Sequence, residues 1–220
     1  MKISAQVKPI NIDAAISGIM DSVPFQQAFV DRIEELRDNA ANANFAYIGR
    51  KVPFDTFVNG QPGEIDDITF PGNITFVFRW AMPLALEIKD TLQRIAPVLK
   101  GRYRNSFRLL VNGDEVDWEA NTVIPDDAEI LITNVQPYAR KLEIRAPDGI
   151  MEGVGTAARW EYKNFADIRF QYMQLEPPAW IVRDTGKPVP HPAIRITPAN
   201  RFAAYKTPRA QRHSRGKKRK

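Results

Sequence analysis

Two segments of this 220-residue chain carry apolar side chains at helical spacing, and strand-forming segments surround both. The first stripe consists of Phe25, Phe29, Ile33 and Leu36, and the second of Leu84, Ile88, Leu92 and Ile95. Because residues three or four apart share one face of a helix, each stripe has to be buried against another layer. We therefore predict an α+β fold, in which a mixed or antiparallel β-sheet is packed by two main helices.

Turn residues divide the rest of the chain into short strands. Asn59-Gly60 and Asn112-Gly113 favour tight hairpin turns, and runs of β-branched and aromatic residues flank both pairs. Further strands are predicted near 128–135, 167–175, 179–184 and 192–199. A glycine-broken helix is predicted after Gly149, and residues 138–144 fit either a short helix or an irregular edge. The first helix is expected to fray near residue 40, before Gly49.

Charge separates the last residues from the body of the chain. Nine Lys or Arg and no acid lie between Arg201 and Lys220, whereas the first 200 residues hold 22 basic and 26 acidic residues, a net charge of −4. We expect one α+β domain over residues 1–199, with a β-hairpin insertion at 54–80 and a β-rich extension at 166–199. Residues 200–220 form a basic tail that lacks apolar periodicity, and we expect it to be disordered when alone.

Residue types exclude several kinds of chemistry. Cysteine is absent, which rules out thiolate nucleophiles and cysteine zinc sites and fits a reducing cytoplasm. The two histidines, His191 and His213, have no partner at metal-ligand spacing and are expected at the surface. The paired carboxylates are expected on a charged helix face or in turns, where water is their partner: Glu34-Glu35, Asp66-Asp67 and Asp126-Asp127. We predict no enzymatic activity, no cofactor and no metal.

No apolar run approaches the roughly 18 to 20 residues that span a bilayer, and the first residues lack the apolar core of a signal peptide. No membrane partner is therefore expected.

The segment APVLKGRYRNSF, residues 96–107, combines a Pro-terminated helix, a glycine turn and basic residues. It resembles the A-P-V-x-T-G-x-L-x-x-S turn of the HK97 gp10-like family of tailed-phage neck, or tail-completion, proteins. Tyr103 stands at the place of a leucine and Lys100 at that of a threonine. The places that match the pattern are filled by Ala96, Pro97, Gly101, Arg102, Arg104 and Ser106.

Two further segments resemble the same family, in the same order. The segment NVQPYARKLE is similar to the family's Asn-x-x-Pro-Tyr-Ala-x-x-Leu-Glu, with Asn134, Pro137, Tyr138, Ala139, Leu142 and Glu143 in the matching places. The segment APDGIMEGVGTAARW is similar to the Gly-initiated helix that follows. The resemblance covers Leu84 to Phe165, and the family's Glu-x-Gly after the tyrosine element is absent, since Ile144 and Arg145 follow Glu143.

The resemblance implies a structural virion protein of the head-to-tail neck, made in the host cytoplasm. It implies a ring of about six or twelve copies, with neighbouring connector or adaptor proteins and tail proteins as its other partners. The residues expected at the subunit interface are Arg102, Tyr103, Arg104, Arg108, Tyr138, Arg140 and Glu143.

Opposite charges lie close together along this part of the chain. Arg102, Arg104 and Arg108 are expected on one strand and could face the acids of a neighbouring subunit, which are Asp114, Glu115 and Asp117. The alternatives are that these charges are simply solvated and that Tyr138 is a packed core residue.

The basic tail has its own predicted partners, packaged DNA or an acidic neighbouring ring. The residues concerned are Arg209, Arg212, Arg215, Lys217, Lys218, Arg219 and Lys220, whose charges can neutralise phosphates without sequence preference. A solubilising tail without a fixed partner is one alternative. A free-standing nucleic-acid-binding protein is the other, and it would need a basic folded face as well as a basic tail.

Overall fold

The computed structural model describes residues 22–69, 72–98, 101–119, 122–125, 127–174 and 190–199. Four α-helices and two antiparallel sheets form this part of the chain, which confirms the α+β prediction. The chain divides into two compact units between Trp80 and Ala81. The single domain over residues 1–199 stays a prediction. The basic tail and the predicted strand at 179–184 lie outside the described residues.

The first unit begins with a long helix, α1 (Val23–Ile48). Pro24 lies in its first turn, as predicted, and Gly49 ends it in the left-handed conformation, with φ of 77°. The predicted fraying is wrong, because the helix continues past residue 40, and alanine, which dominates there, has the highest helix propensity. Phe25, Phe29 and Ile33 of its apolar stripe are half-buried, and Leu36 is exposed. Ile48 is the one buried residue of the helix.

A three-stranded sheet completes this unit. Its strands are β1 (Phe54–Val58), β2 (Gln61–Pro62) and β3 (Ile74–Phe78), in the order β2-β1-β3, and a short 3₁₀ helix (Ile65–Asp67) lies between β2 and β3. Antiparallel strands therefore form within 54–80, as predicted, although there are three of them rather than the two of a simple hairpin. That this segment is an insertion stays a prediction. The ring of Phe54 on β1 packs against those of Phe76 and Phe78 on β3, with centroid distances of 5.7 and 5.3 Å respectively.

The second unit is built on a five-stranded antiparallel sheet of order β5-β4-β6-β8-β7. Its strands are β4 (Phe107–Val111), β5 (Asp114–Val116), β6 (Ile130–Asn134), β7 (Ala166–Gln174) and β8 (Pro190–Pro198). The β-rich extension predicted at 166–199 is not an addition to this sheet, because β8 lies between β6 and β7. All five residues of β6 are buried, as expected for a central strand.

Three helices belong to the second unit: α2 (Ala81–Ile95), α3 (Ala139–Arg145) and α4 (Met151–Glu161). α4 packs on β7 and β8, while α2 contacts α4 and β6. A Cβ on Gly155 of α4 would lie 3.4 Å from the side chain of Ile194, so the helix and the sheet are in close contact. The fully buried core includes Leu84, Leu92, Leu109, Ile132, Met151, Ile168, Ile194 and Ile196.

Pro97 determines where the second helix ends. It ends at Ile95, two residues before Pro97, because the residue that precedes a proline is disfavoured in the helical conformation. The segment at 138–144 forms the short helix α3, one of the two predicted alternatives. Gly149, with φ of 68°, then turns the chain into α4, as the sequence indicates.

The two Asn-Gly turns share one arrangement. Asn59 and Asn112 have φ of 52° and 53°, and the glycines that follow also have positive φ, as type I′ hairpin turns require. The amide N–H of Asn112 donates to the carbonyl oxygen of Glu129, and its side-chain Oδ1 accepts from the amide of Glu129 (2.8 and 2.9 Å). Asn59 makes the same two bonds with Asn73, both 2.9 Å long. Each turn asparagine thus holds the residue just before another strand, β6 or β3.

Candidate functional site

Buried polar side chains connect the glycine turn at 101–106 to the segment that follows β6. Asn134 is fully buried, and its Nδ2 donates to the carbonyl oxygen of Tyr103 at 2.8 Å. Gln136 Nε2 donates to Ser106 Oγ, which in turn donates to the carbonyl oxygen of Arg102, both at 2.5 Å. These hydrogen bonds join the first two of the three segments that resemble the neck family, APVLKGRYRNSF and NVQPYARKLE, although about 30 residues separate the bonded pairs in sequence.

Glu143 connects the second segment to the third. Its side chain is only 3% exposed, and its two carboxylate oxygens accept hydrogen bonds from the backbone amides of Met151 (3.0 Å) and Glu152 (2.8 Å). These amides belong to the first turn of α4, where helix geometry leaves the N–H groups without partners inside the helix. Glu143 is thus the helix cap supplied by α3, and its buried position leaves it no surface for a neighbouring subunit.

Tyr103 is likewise inside the fold, with 1% of its surface exposed. Its ring lies edge-on to Phe107, with centroids 5.5 Å apart, and 6.4 Å from the ring of Tyr138. Burial, with the Glu143 carboxylate nearby, raises the pKa of Tyr103 far above its ordinary value of 10.0. The predicted contact of Tyr103 with a neighbouring subunit is therefore wrong, because the side chain lies in the core beneath the turn.

The three arginines predicted on one strand are not on one strand. Arg102 and Arg104 lie in the turn before β4, because Gly101 and the bonds of Ser106 keep the chain bent until residue 106; only Arg108 is a strand residue. Arg102 is exposed, whereas Arg104 is half-buried and its Nη2 donates to the carbonyl oxygen of Ala96 at 3.3 Å. Arg108 Nε lies 2.9 Å from Glu115 Oε1 on the adjacent strand β5. The expected opposite-signed faces are therefore partly neutralised within one chain.

Tyr138 and Arg140 begin the short helix α3. Tyr138 is the N-cap residue of α3 and is half-buried. It is therefore neither fully packed in the core nor fully available to a neighbouring subunit. Arg140 is exposed, and its guanidinium lies 5.7 Å from the centre of the Tyr172 ring on β7. A cation placed over an aromatic ring in this way is held by the ring's negative face. Of the predicted interface residues, Arg102 and Arg140 are the exposed ones, whereas the others are half-buried or buried.

His191 is buried at the start of β8, with 1% of its surface exposed, so the predicted surface position is wrong. Its Nδ1 lies 3.0 Å from the carbonyl oxygen of Asn134, which makes this nitrogen the donor. Burial lowers the pKa of His191 below its ordinary value of 6.5. The local sequence gave no sign of this burial, because prolines flank the residue. His213 lies outside the described residues.

The paired carboxylates have the surroundings expected of surface charges. Glu34 and Glu35 form ion pairs on α1 with Arg37 (3.2 Å) and Arg32 (2.5 Å). Asp67 Oδ2 accepts from the amide of Glu64 in the 3₁₀ turn. Asp127 is exposed, and Asp126 lies outside the described residues. Within the described ranges, no group of three His, Cys, Asp or Glu side chains could hold a metal ion.

Two exposed residues near Arg140 were not predicted. Ile144 lies one turn after Arg140 on α3 and is 68% exposed, and Tyr172 on β7 is 43% exposed. An isoleucine within the cationic segment ARKLEIR is the signal that could have pointed to Ile144. The position of Tyr172 beside α3 depends on the order of the strands, which local sequence does not specify.

Among the helices of the described residues, none combines the length and the apolar character needed to cross a membrane. Comparisons with protein-family models, with curated proteins and with solved structures found no match to this chain.

Proposed function

We propose that this chain is a structural protein of the head-to-tail junction of a tailed phage. In this role it forms a ring between the connector at the portal and the tail, and it catalyses no reaction. Neighbouring connector or adaptor proteins and tail proteins are its other partners. The proposal rests first on the three sequence segments that resemble the neck and tail-completion family.

The arrangement of those segments supports the proposal. The polar residues Asn134 and Glu143, which fill places of the family pattern, make the buried hydrogen bonds that join the three segments. These residues therefore maintain the shape of the fold. Residues that hold the fold together are expected to be common to a family of structural proteins, because the surface that binds a partner keeps its shape only if the fold beneath it is fixed.

The copy number of the chain in purified virus particles tests the proposal. Quantitative mass spectrometry against the portal protein should give a fixed ratio, near one or one half if the portal ring has about twelve subunits. Absence from particles, in cells where the protein is abundant, would contradict the proposal.

The basic tail favours a second candidate, a free-standing nucleic-acid-binding protein. Nine cations in the last twenty residues supply the electrostatic part of DNA binding. The net charge of −4 on the first 200 residues weighs against this candidate, because a basic folded face would be needed as well. Presence of the chain in infected cells but not in particles, together with salt-dependent DNA binding, would favour it.

A further inference from the structure

We propose that copies of this chain associate head to tail through the two opposite edges of the five-stranded sheet. The basic surface formed by α3 and β7 in one copy binds the acidic edge formed by β5 in the next copy. This inference rests on the proposed ring and specifies its interface. The partner on each surface is a second copy of the same chain.

The first surface, which we term the α3–β7 face, combines cations with exposed apolar groups. Arg140, Lys141 and Arg145 of α3 are all exposed. Ile144 (68% exposed) and Tyr172 (43% exposed) lie beside them, and the guanidinium of Arg140 lies over the Tyr172 ring. Two acids lie near this face, the buried Glu143 of α3, which is bonded to α4, and the exposed Glu152 of α4, and both act electrostatically on Tyr172. The three cations of α3 outnumber them. Arginine and tyrosine are enriched among the residues that contribute most to protein interfaces.

The second surface, which we term the β5 edge, is acidic. The acids on β5 and just after it are all exposed, and they are Asp114, Glu115, Asp117 and Glu119. Arg108 pairs with Glu115, and Lys89 of α2 lies over the ring of Trp118, 4.6 Å from its centre, so four acids and two cations lie here. A net negative charge therefore remains along this edge. It complements the positive charge of the α3–β7 face.

The positions of these surfaces explain why a second copy fits them. β5 and β7 are the two edge strands of the sheet. α3 packs on β8, the neighbour of β7, and Arg140 reaches Tyr172 of β7, so the cations lie toward the β7 side and the acids on the β5 side. A chain cannot bring its own two edges together, but two copies in the same orientation present a basic edge to an acidic one. Contacts between different patches of identical subunits generate rings when the rotation closes. Complementary charge also speeds and orients such association.

Charge-reversed variants test this pairing in solution. The basic reversal is Arg140→Glu with Lys141→Glu, and the acidic reversal is Asp114→Lys with Asp117→Lys. Each alone should raise the dissociation constant for self-association at least about tenfold, measured by sedimentation over a concentration series at low salt. An equal mixture of the two should recover association, because one variant then has two acidic edges and the other two basic ones.

A matched control reverses two cations of the same unit outside both surfaces, Arg159→Glu with Lys163→Glu. It should associate as the unaltered chain does, and thermal unfolding followed by circular dichroism should show that all variants are folded. The interface is disproved if the unaltered chain is monomeric at every concentration, if either reversal associates normally, or if the mixture fails to recover. None of these outcomes changes the copy number in particles, so the neck role and the interface can fail separately.

Discussion

Glu143 performs a role at the scale of one residue that a motif match does not reveal. Its carboxylate lies at the N-terminal, positive end of α4. It accepts hydrogen bonds from two backbone amides that have no acceptor within the helix. Removal of the carboxylate leaves both amides buried or half-buried without an acceptor. The cost of such a loss exceeds the net value of a typical hydrogen bond.

We therefore expect Glu143→Ala to lower the free energy of unfolding by about 2 to 3 kcal/mol, measured by denaturant titration. Glu143→Gln should fall between this variant and the unaltered chain, because it retains one acceptor oxygen. The control is Glu152→Ala, which removes an exposed acid from the same helix turn and should cost less than about 0.5 kcal/mol. Equal effects of the alanine variants at 143 and 152 would show that Glu143 is not the cap.

His191 makes stability depend on pH. Because burial lowers its pKa in the folded state, the unfolded chain binds the proton more readily between that pKa and the ordinary value of 6.5. Stability is therefore complete above about pH 7 and falls as the pH drops below 6.5 toward the folded-state pKa.

Unfolding experiments between about pH 7.5 and about pH 5.5 should show this loss in the unaltered chain and a smaller one in His191→Gln. The difference between the two curves isolates the histidine from the carboxylates that titrate at lower pH. Identical slopes for the two proteins would contradict the assignment. A ring-proton signal of His191 that titrates at or above 6.5 by NMR would contradict it as well.

At the scale of the element, Gly149 decides whether α3 and α4 can meet. Its φ of 68° lies in the left-handed region, and a Cβ there would stand 2.4 Å from Glu143 Oε1. Gly153, four residues later in the same segment, has no positive φ, and a Cβ there would meet only an ordinary contact at 3.4 Å.

Gly149→Ala should therefore destabilise the protein by about 1 to 3 kcal/mol, through backbone strain and displacement of the Glu143 carboxylate. Gly153→Ala should be neutral or stabilising by up to about 1 kcal/mol, because alanine has the higher helix propensity. Thermal unfolding of both variants measures the contrast. A neutral Gly149→Ala would mean that the turn accepts another conformation.

Helices and turns were predictable where residues close in sequence determine them. The apolar stripes from Phe25 and Leu84 and the Asn-Gly turns depend on residues close in sequence, and helices and hairpins formed there. Burial of Tyr103, Glu143 and His191 was not predictable, because each is covered by residues 30 or more positions away or by another helix. The place of β8 between β6 and β7 likewise depends on strand order, which local patterns leave open.

At the scale of the whole molecule, charge is distributed between a mildly acidic body and a strongly basic tail. Lys and Arg side chains that neutralise phosphates release counterions, so the affinity for DNA falls as salt rises. The tail is the part of the sequence where cations are most concentrated, and DNA binding is expected to depend on it.

Truncation before Arg209 removes seven of the nine tail cations. It should weaken binding to double-stranded DNA and reduce the slope of log affinity against log salt, while the unfolding transition stays unchanged. Filter binding or fluorescence anisotropy at several salt concentrations measures both quantities. Unchanged binding at low salt would exclude the tail as the DNA contact.

The asparagine at the β4–β5 turn has a consequence for strand register. β6 is buried on both faces, so its apolar pattern does not determine which of its residues face the helices. A slip of one residue against β4 would exchange Ile130 and Ile132 for Leu131 and Thr133. Such a slip would also break both bonds between Asn112 and Glu129. The turn that reverses the chain thus also fixes the alignment of β6 through Glu129, which lies just before that strand and seventeen residues after Asn112.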